Sequence, residues 1–304
     1  MEYVLTTENL CKKYKHGYAL NGLSMHVPKG AVYGFVGRNG AGKSTVIRLI
    51  SGLQTPTSGE YTVFGKKGTE TEIGKSRRRM GVMFETPSVY LNMTAEENLK
   101  QQYRMLGIPS FDGITDILNM VGLKDTGKKK AKHFSMGMLK RLSIAVALCG
   151  DPDFLVLDEP LNGLDPQGIV QIRELLLKLN REKQVTILVS GHILEELSKI
   201  ATHYGFVDNG CIVKEISAKE LEASCKKCIT AEVSDVKVLA RILEEKGTEY
   251  AVLTERNVEI FDEISVTELV HLLEAEGCEL YRVSEREATL EYYYISLVGG
   301  KEYE

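Results

Sequence analysis

Long apolar runs are missing from this chain of 304 residues. No uninterrupted stretch approaches the roughly 18 residues that a membrane-spanning helix needs, so none is expected to cross a bilayer. The opening Met1-Glu2-Tyr3 lacks the basic-then-apolar pattern of a secretory leader, and the chain is expected to stay in the cytoplasm. Cysteine is sparse: six are scattered along the chain, and only Cys225 and Cys228 form a C-x-x-C pair. Without a second pair or nearby histidines this spacing specifies neither a zinc site nor a redox centre, and free thiols are expected. Aromatics do not interleave with basic residues and the net charge is −4, which argues against a nucleic-acid groove. No repeat or low-complexity tract is evident.

Charge is unevenly spread. Residues 1–217 carry 28 basic and 22 acidic side chains, whereas 218–304 carry 10 and 20. The two parts therefore differ in sign, which places an expected domain boundary near residue 217. Basic clusters at Lys75 to Arg79 and Lys124 to Lys132 read first as solvated faces, with anionic lipid or an acidic partner as the alternative.

The most informative stretch is Gly37-Arg38-Asn39-Gly40-Ala41-Gly42-Lys43-Ser44-Thr45. It follows the apolar run Ala31 to Val36 and opens a segment with helical spacing at Val46, Ile47 and Ile50. Strand, glycine-rich turn and helix in that order make a phosphate-binding loop. The glycines let backbone N–H groups turn inward, Lys43 reaches the terminal phosphates and the Ser44 hydroxyl ligates Mg²⁺. The new helix adds its positive N-terminal end. Further on, Phe154-Leu155-Val156-Leu157 ends in Asp158-Glu159-Pro160, the carboxylate pair that the second half of a nucleotide site requires. Asp158 is suited to hold Mg²⁺ through water, and Glu159 to orient and deprotonate the attacking water.

Short apolar runs at Ala31 to Val36, Phe154 to Leu157 and Val185 to Val189 read as buried strands of an α/β domain. Thr94 with Glu97 forms a capping box, Gly137 to Cys149 reads as a helix, and Asp165 followed by Pro166 starts another. The tail reads β-α-β-β-α-β, a ferredoxin-like order: strands at Ile229 to Val233, Glu249 to Leu253, Val258 to Phe261 and Cys278 to Val283, and helices at Val236 to Lys246 and Ser265 to Leu273. One more helix is expected around Leu290 to Leu297.

Phe134-Ser135-Met136-Gly137-Met138 resembles the signature motif of ABC ATPases, usually written LSGGQ, with Ser135 and Gly137 kept and Phe134, Met136 and Met138 departing from it. Other landmarks of that family follow in order. Tyr14 resembles the aromatic residue that stacks on adenine, Leu161-Asn162-Gly163-Leu164-Asp165 the loop that signals between paired sites, and His192 the histidine that contacts the γ-phosphate. Where most relatives carry a glutamine near Mg²⁺, this chain reads Met83-Phe84-Glu85-Thr86-Pro87. That glutamate and the Ser-Met-Gly-Met run resemble the bacitracin- and lantibiotic-resistance type of exporter ATPase, as does the tail ending Thr289-Leu290-Glu291-Tyr292-Tyr293-Tyr294.

The resemblance implies an ABC cassette over residues 1–217 with a helical subdomain at about 86–150, followed by the small α+β domain at 218–304. It implies ATP and Mg²⁺ as ligands, with the phosphate loop and Tyr14 on ATP; Ser44, Glu85 and Asp158 on the metal; and Lys43, Glu159 and His192 as catalytic groups. Ser135 and Gly137 would act on the ATP held by a second copy, and Asp165 at the junction between copies. The partners implied are that second ATPase subunit and a membrane permease, with no nucleic acid, at the inner face of the cell membrane. Two rivals remain. A soluble ABC ATPase of DNA repair or translation would carry a coiled-coil insertion or a second cassette, and neither is seen. A non-catalytic regulator would have no need of Lys43, Asp158, Glu159 and His192 together.

Overall fold

Three strands built on the apolar runs of the sequence, β3 (Val32–Val36), β7 (Phe154–Asp158) and β8 (Thr186–Gly191), are buried along their whole length. The computed structural model describes residues 2–224, 228–261 and 264–286, together with 293, 294 and 297. The chain divides into two compact units, Met1–Ala218 and Lys219–Glu304.

The elements of the first unit, in order, are β1 (Tyr3–Tyr14), β2 (Gly17–Pro28), β3, α1 (Lys43–Ile50), β4 (Ser58–Val63), β5 (Lys66–Lys67), α2 (Ile73–Arg77), β6 (Met80–Met83), α3 (Ala95–Leu106), α4 (Ile114–Met120), α5 (Met136–Leu148), β7, α6 (Pro166–Lys183), β8, α7 (Leu194–Ser198), β9 (His203–Asp208) and β10 (Cys211–Ser217). A six-stranded sheet runs β10-β9-β3-β8-β7-β6, and β6, β7, β8, β3 and β9 are parallel. Burial on both faces explains why these strands read as continuous apolar runs rather than alternating ones. A second, antiparallel sheet runs β2-β1-β4-β5. The sequence reading missed it because β1 is broken by register shifts at Thr7/Leu10 and Leu10/Lys12, which disturb the two-residue alternation.

Between the sheets lies one core, built from Leu5, Leu20, Met25, Phe35, Ile47, Ile50 and Phe154 among others. Helix α3 begins at the expected capping box, in which Thr94 Oγ1 accepts from Glu97 N–H and Glu97 returns the bond to Thr94 N–H. Helix α6 begins at Asp165, whose carboxylate accepts from Gly168 N–H. No helix among the described residues is long and apolar enough to cross a membrane.

The second unit opens within α8 (Ala218–Ser224) and continues through β11 (Cys228–Val233), α9 (Val236–Lys246), β12 (Tyr250–Val252), β13 (Asn257–Ile260), α10 (Val266–Ala275) and β14 (Leu280–Arg286). Its antiparallel sheet runs β12-β13-β11-β14, over a core of Ala231, Val233, Leu239, Leu243, Val258, Leu269 and Leu273. The last strand starts at Leu280 rather than Cys278. Gly277 takes a φ of 70° and Cys278 N–H returns to Leu273 O, so 277 and 278 close the helix, and Glu279 bonds, among the described residues, only to Ser234 beyond the end of β11. Of the expected helix around Leu290 to Leu297 only residues 293, 294 and 297 are described, all helical, while most of the Tyr-rich tail and Cys225 lie outside the described residues. Cys11, Cys149, Cys211 and Cys278 are free thiols.

Candidate active site

The sheet order decides the site. β3 and β7 flank β8, so the turn after β3 and the acids at the end of β7 open at the same carboxyl edge, where ligands bind in open α/β sheets. The turn after β3 needs its glycines. Gly42 has φ 110°, and a Cβ there would lie 2.7 Å from Ala19 O; a Cβ on Gly37 would lie 2.5 Å from Val207 O. Lys43 is thereby drawn inward to 5% exposure, its ammonium donating to Gly37 O at 2.6 Å and Arg38 O at 3.2 Å. A cavity of about 280 Å³ is lined by Asn39, Gly40, Gly42, Lys43, Ser44, Thr45, Glu85 and Glu159.

Glu159 meets Lys43 across this cavity, Oε1 to Nζ 3.3 Å. Its other oxygen lies 2.9 Å from His192 Nδ1, so that ring nitrogen carries the proton shared with the carboxylate. Glu159 also has φ 49°, a left-handed conformation that costs a non-glycine residue about 1–3 kcal/mol. Two side chains from other elements and one main-chain bond within the same turn hold it there. Its N–H donates to Ser190 Oγ at 3.0 Å, and its carbonyl accepts from Lys140 Nζ at 2.9 Å and Asn162 N–H at 3.3 Å.

Ser190 is placed by strand register, opposite Asp158 in the β7–β8 pairing. Its hydroxyl donates to Asp158 Oδ1 at 2.7 Å, so one buried serine orients both acids. Glu85 follows β6; its carboxylate accepts from Asn162 Nδ2 at 3.1 Å and its carbonyl from Lys140 Nζ at 2.9 Å. Burial pushes the Lys140 ammonium below the usual lysine range, and the Glu85, Glu159 and Asp158 carboxylates push back.

Lys43, Ser44, Glu85 and Glu159 thus share one cavity, with His192 on Glu159, while Asp158, bonded to Ser190, is not among the lining residues. Tyr14 stands at the tip of β1, outside the lining residues, where its hydroxyl donates to Gln54 Oε1 at 2.5 Å. Ser135 caps α5, accepting from Met138 N–H, and with Gly137 it lies away from the cavity. Asp165 is the cap of α6.

The contacts that three residues make escaped sequence reasoning. Ser190 looks like an ordinary strand-end hydroxyl, and Asn162 like a turn residue. Lys140 had a usable signal: it shares a helix face with Ile144 and Ala147, both buried, so a charge there must find buried partners.

The oxygen donors at this edge, the Ser44 hydroxyl and the carboxylates of Asp158 and Glu85, have the hardness that Mg²⁺ takes. Among the described residues no group of three or more His, Cys, Asp or Glu side chains converges as a metal cluster. A Mg²⁺ held by one or two side chains together with substrate phosphates needs no such cluster.

The ABC transporter family profile matches residues 20–162. The chain is 39% identical to the bacitracin transport ATP-binding protein BcrA of Enterococcus faecalis, over 99% of this chain and 98% of that protein. It is 40% identical to the lantibiotic transport ATP-binding protein SrtF of Streptococcus pyogenes, over 73% of this chain and 93% of that protein. Among solved structures it is similar to the dimeric ATP-binding cassette MJ0796 in a post-hydrolysis state with ADP and Pi, at TM-score 0.65 and 26% identity, over 70% of this chain and 98% of that one. The ADP conformation of the cassette MJ1267 gives TM-score 0.64 and 29% identity, over 72% of this chain and 92% of that one.

Proposed function

Because the chain belongs to the ABC transporter family, as its ATP-binding and ATP-hydrolysing subunit, we propose that it drives export of an antimicrobial peptide of the bacitracin or lantibiotic kind through a separate membrane permease. Similarity along nearly the whole chain to a bacitracin transport subunit supports that substrate class.

For the chemistry, the carrying observation is Glu159 held between Lys43 and His192 at the mouth of the phosphate loop. In our reading the loop amides and Lys43 bind the β- and γ-phosphates, and Glu159 accepts the proton of the attacking water. His192, oriented by Glu159 through Nδ1, presents its remaining nitrogen to the γ-phosphate. Asp158, Ser44 and Glu85 are the residues that would hold Mg²⁺, which when bound neutralises charge on the phosphates. Tyr14 supplies a stacking face for adenine. The exposed Ser135 cap and Gly137 serve the ATP of a second copy paired head to tail, with Asp165 at the junction, and dimeric relatives support that pairing. Such a subunit works on the cytoplasmic side of the membrane, docked on its permease.

The test is the tagged full chain purified from membranes of its host together with the permease that it retains. Peptide export from vesicles should require ATP and stop in Glu159→Gln. A complex that pulled down no membrane protein and hydrolysed ATP without transport would overturn the reading.

A further inference from the structure

Lys140 lies in α5 five residues beyond Ser135 and is 2% exposed. A buried ammonium is costly unless its protons are taken up. Among the described residues no carboxylate comes within ion-pair distance of it. It donates instead to two main-chain carbonyls, those of Glu85 and Glu159, each at 2.9 Å. These carbonyls belong to segments leaving different strands, β6 and β7, so one side chain ties both to the helix that starts at the signature cap. The Glu159 peptide groups are then gripped from two sides, by Ser190 at the N–H and by Lys140 at the C=O. Between the two grips the backbone holds φ 49°, a conformation that turns the carboxylate toward Lys43.

We propose that Lys140 is a positioning residue: by clamping the carbonyls of Glu159 and Glu85 it fixes the carboxylate of Glu159 for proton abstraction and couples it to the signature helix and the Glu85 loop. This rests on the reading of Glu159 as the base. A neutral side chain of similar length would fill the space yet leave both carbonyls without their strongest donor. Glu159 would then relax from the left-handed conformation, and misplacement of a reacting group by about 1 Å is enough to cost on the order of 10²-fold in rate.

The experiment uses the purified full chain as wild type, Lys140→Met, Lys140→Arg, Glu159→Gln and the double variant Lys140→Met/Glu159→Gln. ATP turnover, KM, binding of a fluorescent ATP analogue and thermal unfolding are measured on each. Lys140→Met is expected to lower kcat by roughly 10- to 100-fold with KM and analogue affinity changed less than about threefold. Lys140→Arg, which keeps the donors, should recover part of that loss. In the Glu159→Gln background Lys140→Met should cost less than about threefold more, because it acts through a carboxylate already gone. If Lys140→Met does not fold, Lys140→Gln takes its place: its amide is one bond shorter than the lysine chain and no longer reaches both carbonyls, so the same fall in kcat is expected. Turnover of the lysine variant near wild type, while Glu159→Gln is inactive, overturns the clamp and leaves the base standing. An equal loss in both backgrounds, accompanied by weaker analogue binding, makes Lys140 merely structural. Full turnover in Glu159→Gln removes the base and the clamp together.

Discussion

Lys43 and Glu159 face each other with Nζ 3.3 Å from Oε1, both side chains more than nine-tenths buried. A phosphate entering the loop competes with that carboxylate for the same ammonium. Glu159→Gln is therefore expected to bind ATP severalfold more tightly while turnover falls by roughly 10² or more, since the base is lost and the competing anion with it. Lys43→Ala should instead weaken ATP binding directly. Equilibrium binding and steady-state hydrolysis of both variants separate these effects, and a glutamine variant with weakened ATP binding would contradict the competition.

Ser190 links Asp158 and Glu159 through a single hydroxyl. Ser190→Ala leaves the Glu159 N–H and one Asp158 oxygen short of a partner in a buried setting, at a cost of about 1–3 kcal/mol in stability. Turnover should fall more than affinity, because both acids lose their orientation. Chemical denaturation and kinetics of this one variant test the two consequences; unchanged kcat would show that strand register alone fixes the acids.

Glu85, which the family resemblance puts where a glutamine is expected, is held at its carboxylate by Asn162. Glu85→Gln should keep ATP binding and much of the ATPase rate, because the amide oxygen still accepts from Asn162. Glu85→Ala should uncouple transport from hydrolysis in the reconstituted complex. Asn162→Ala should reproduce part of that uncoupling by freeing the carboxylate. Transport and ATPase measured side by side decide it, and parallel preservation of both in Glu85→Ala would reduce Glu85 to a surface acid.

Every residue of the candidate site lies in the first unit, which has its own core. Residues 1–217 expressed alone should fold and bind ATP with near wild-type affinity. Aggregation of that fragment, with the full chain soluble under the same conditions, would mean that the two units depend on one another to fold.

Burial raises the Cys149 thiol to about 12, and its Sγ faces Ala145 O. At pH 8 it should resist a thiol reagent until the protein unfolds, whereas the half-buried Cys11 and Cys211 react in the folded state. The folded value exceeds the unfolded one, so this group's contribution to stability is complete below about pH 9 and declines as pH rises toward about 12. Alkaline denaturation of Cys149→Ala beside wild type reads that contribution.

The phosphate loop, the helix caps at Thr94 and Asp165, and the sign change near residue 217 were legible in the sequence. Each is encoded by contiguous residues: glycines where the backbone must turn, hydroxyls and carboxylates where helix N–H groups stand unpaired, apolar runs where strands are buried on both faces. What the sequence left open was how far-apart residues meet. Ser190 reaches Asp158 across 32 positions because β8 pairs with β7 in that register, and Lys140 reaches Glu85 across 55 because α5 packs against the end of β6. The left-handed turn at Glu159 has no glycine to announce it, since side chains from two other segments hold it in place. Local stereochemistry thus specifies which groups do the chemistry. Only the packed sheet and helix, by closing those long loops, decide the distances at which they do it.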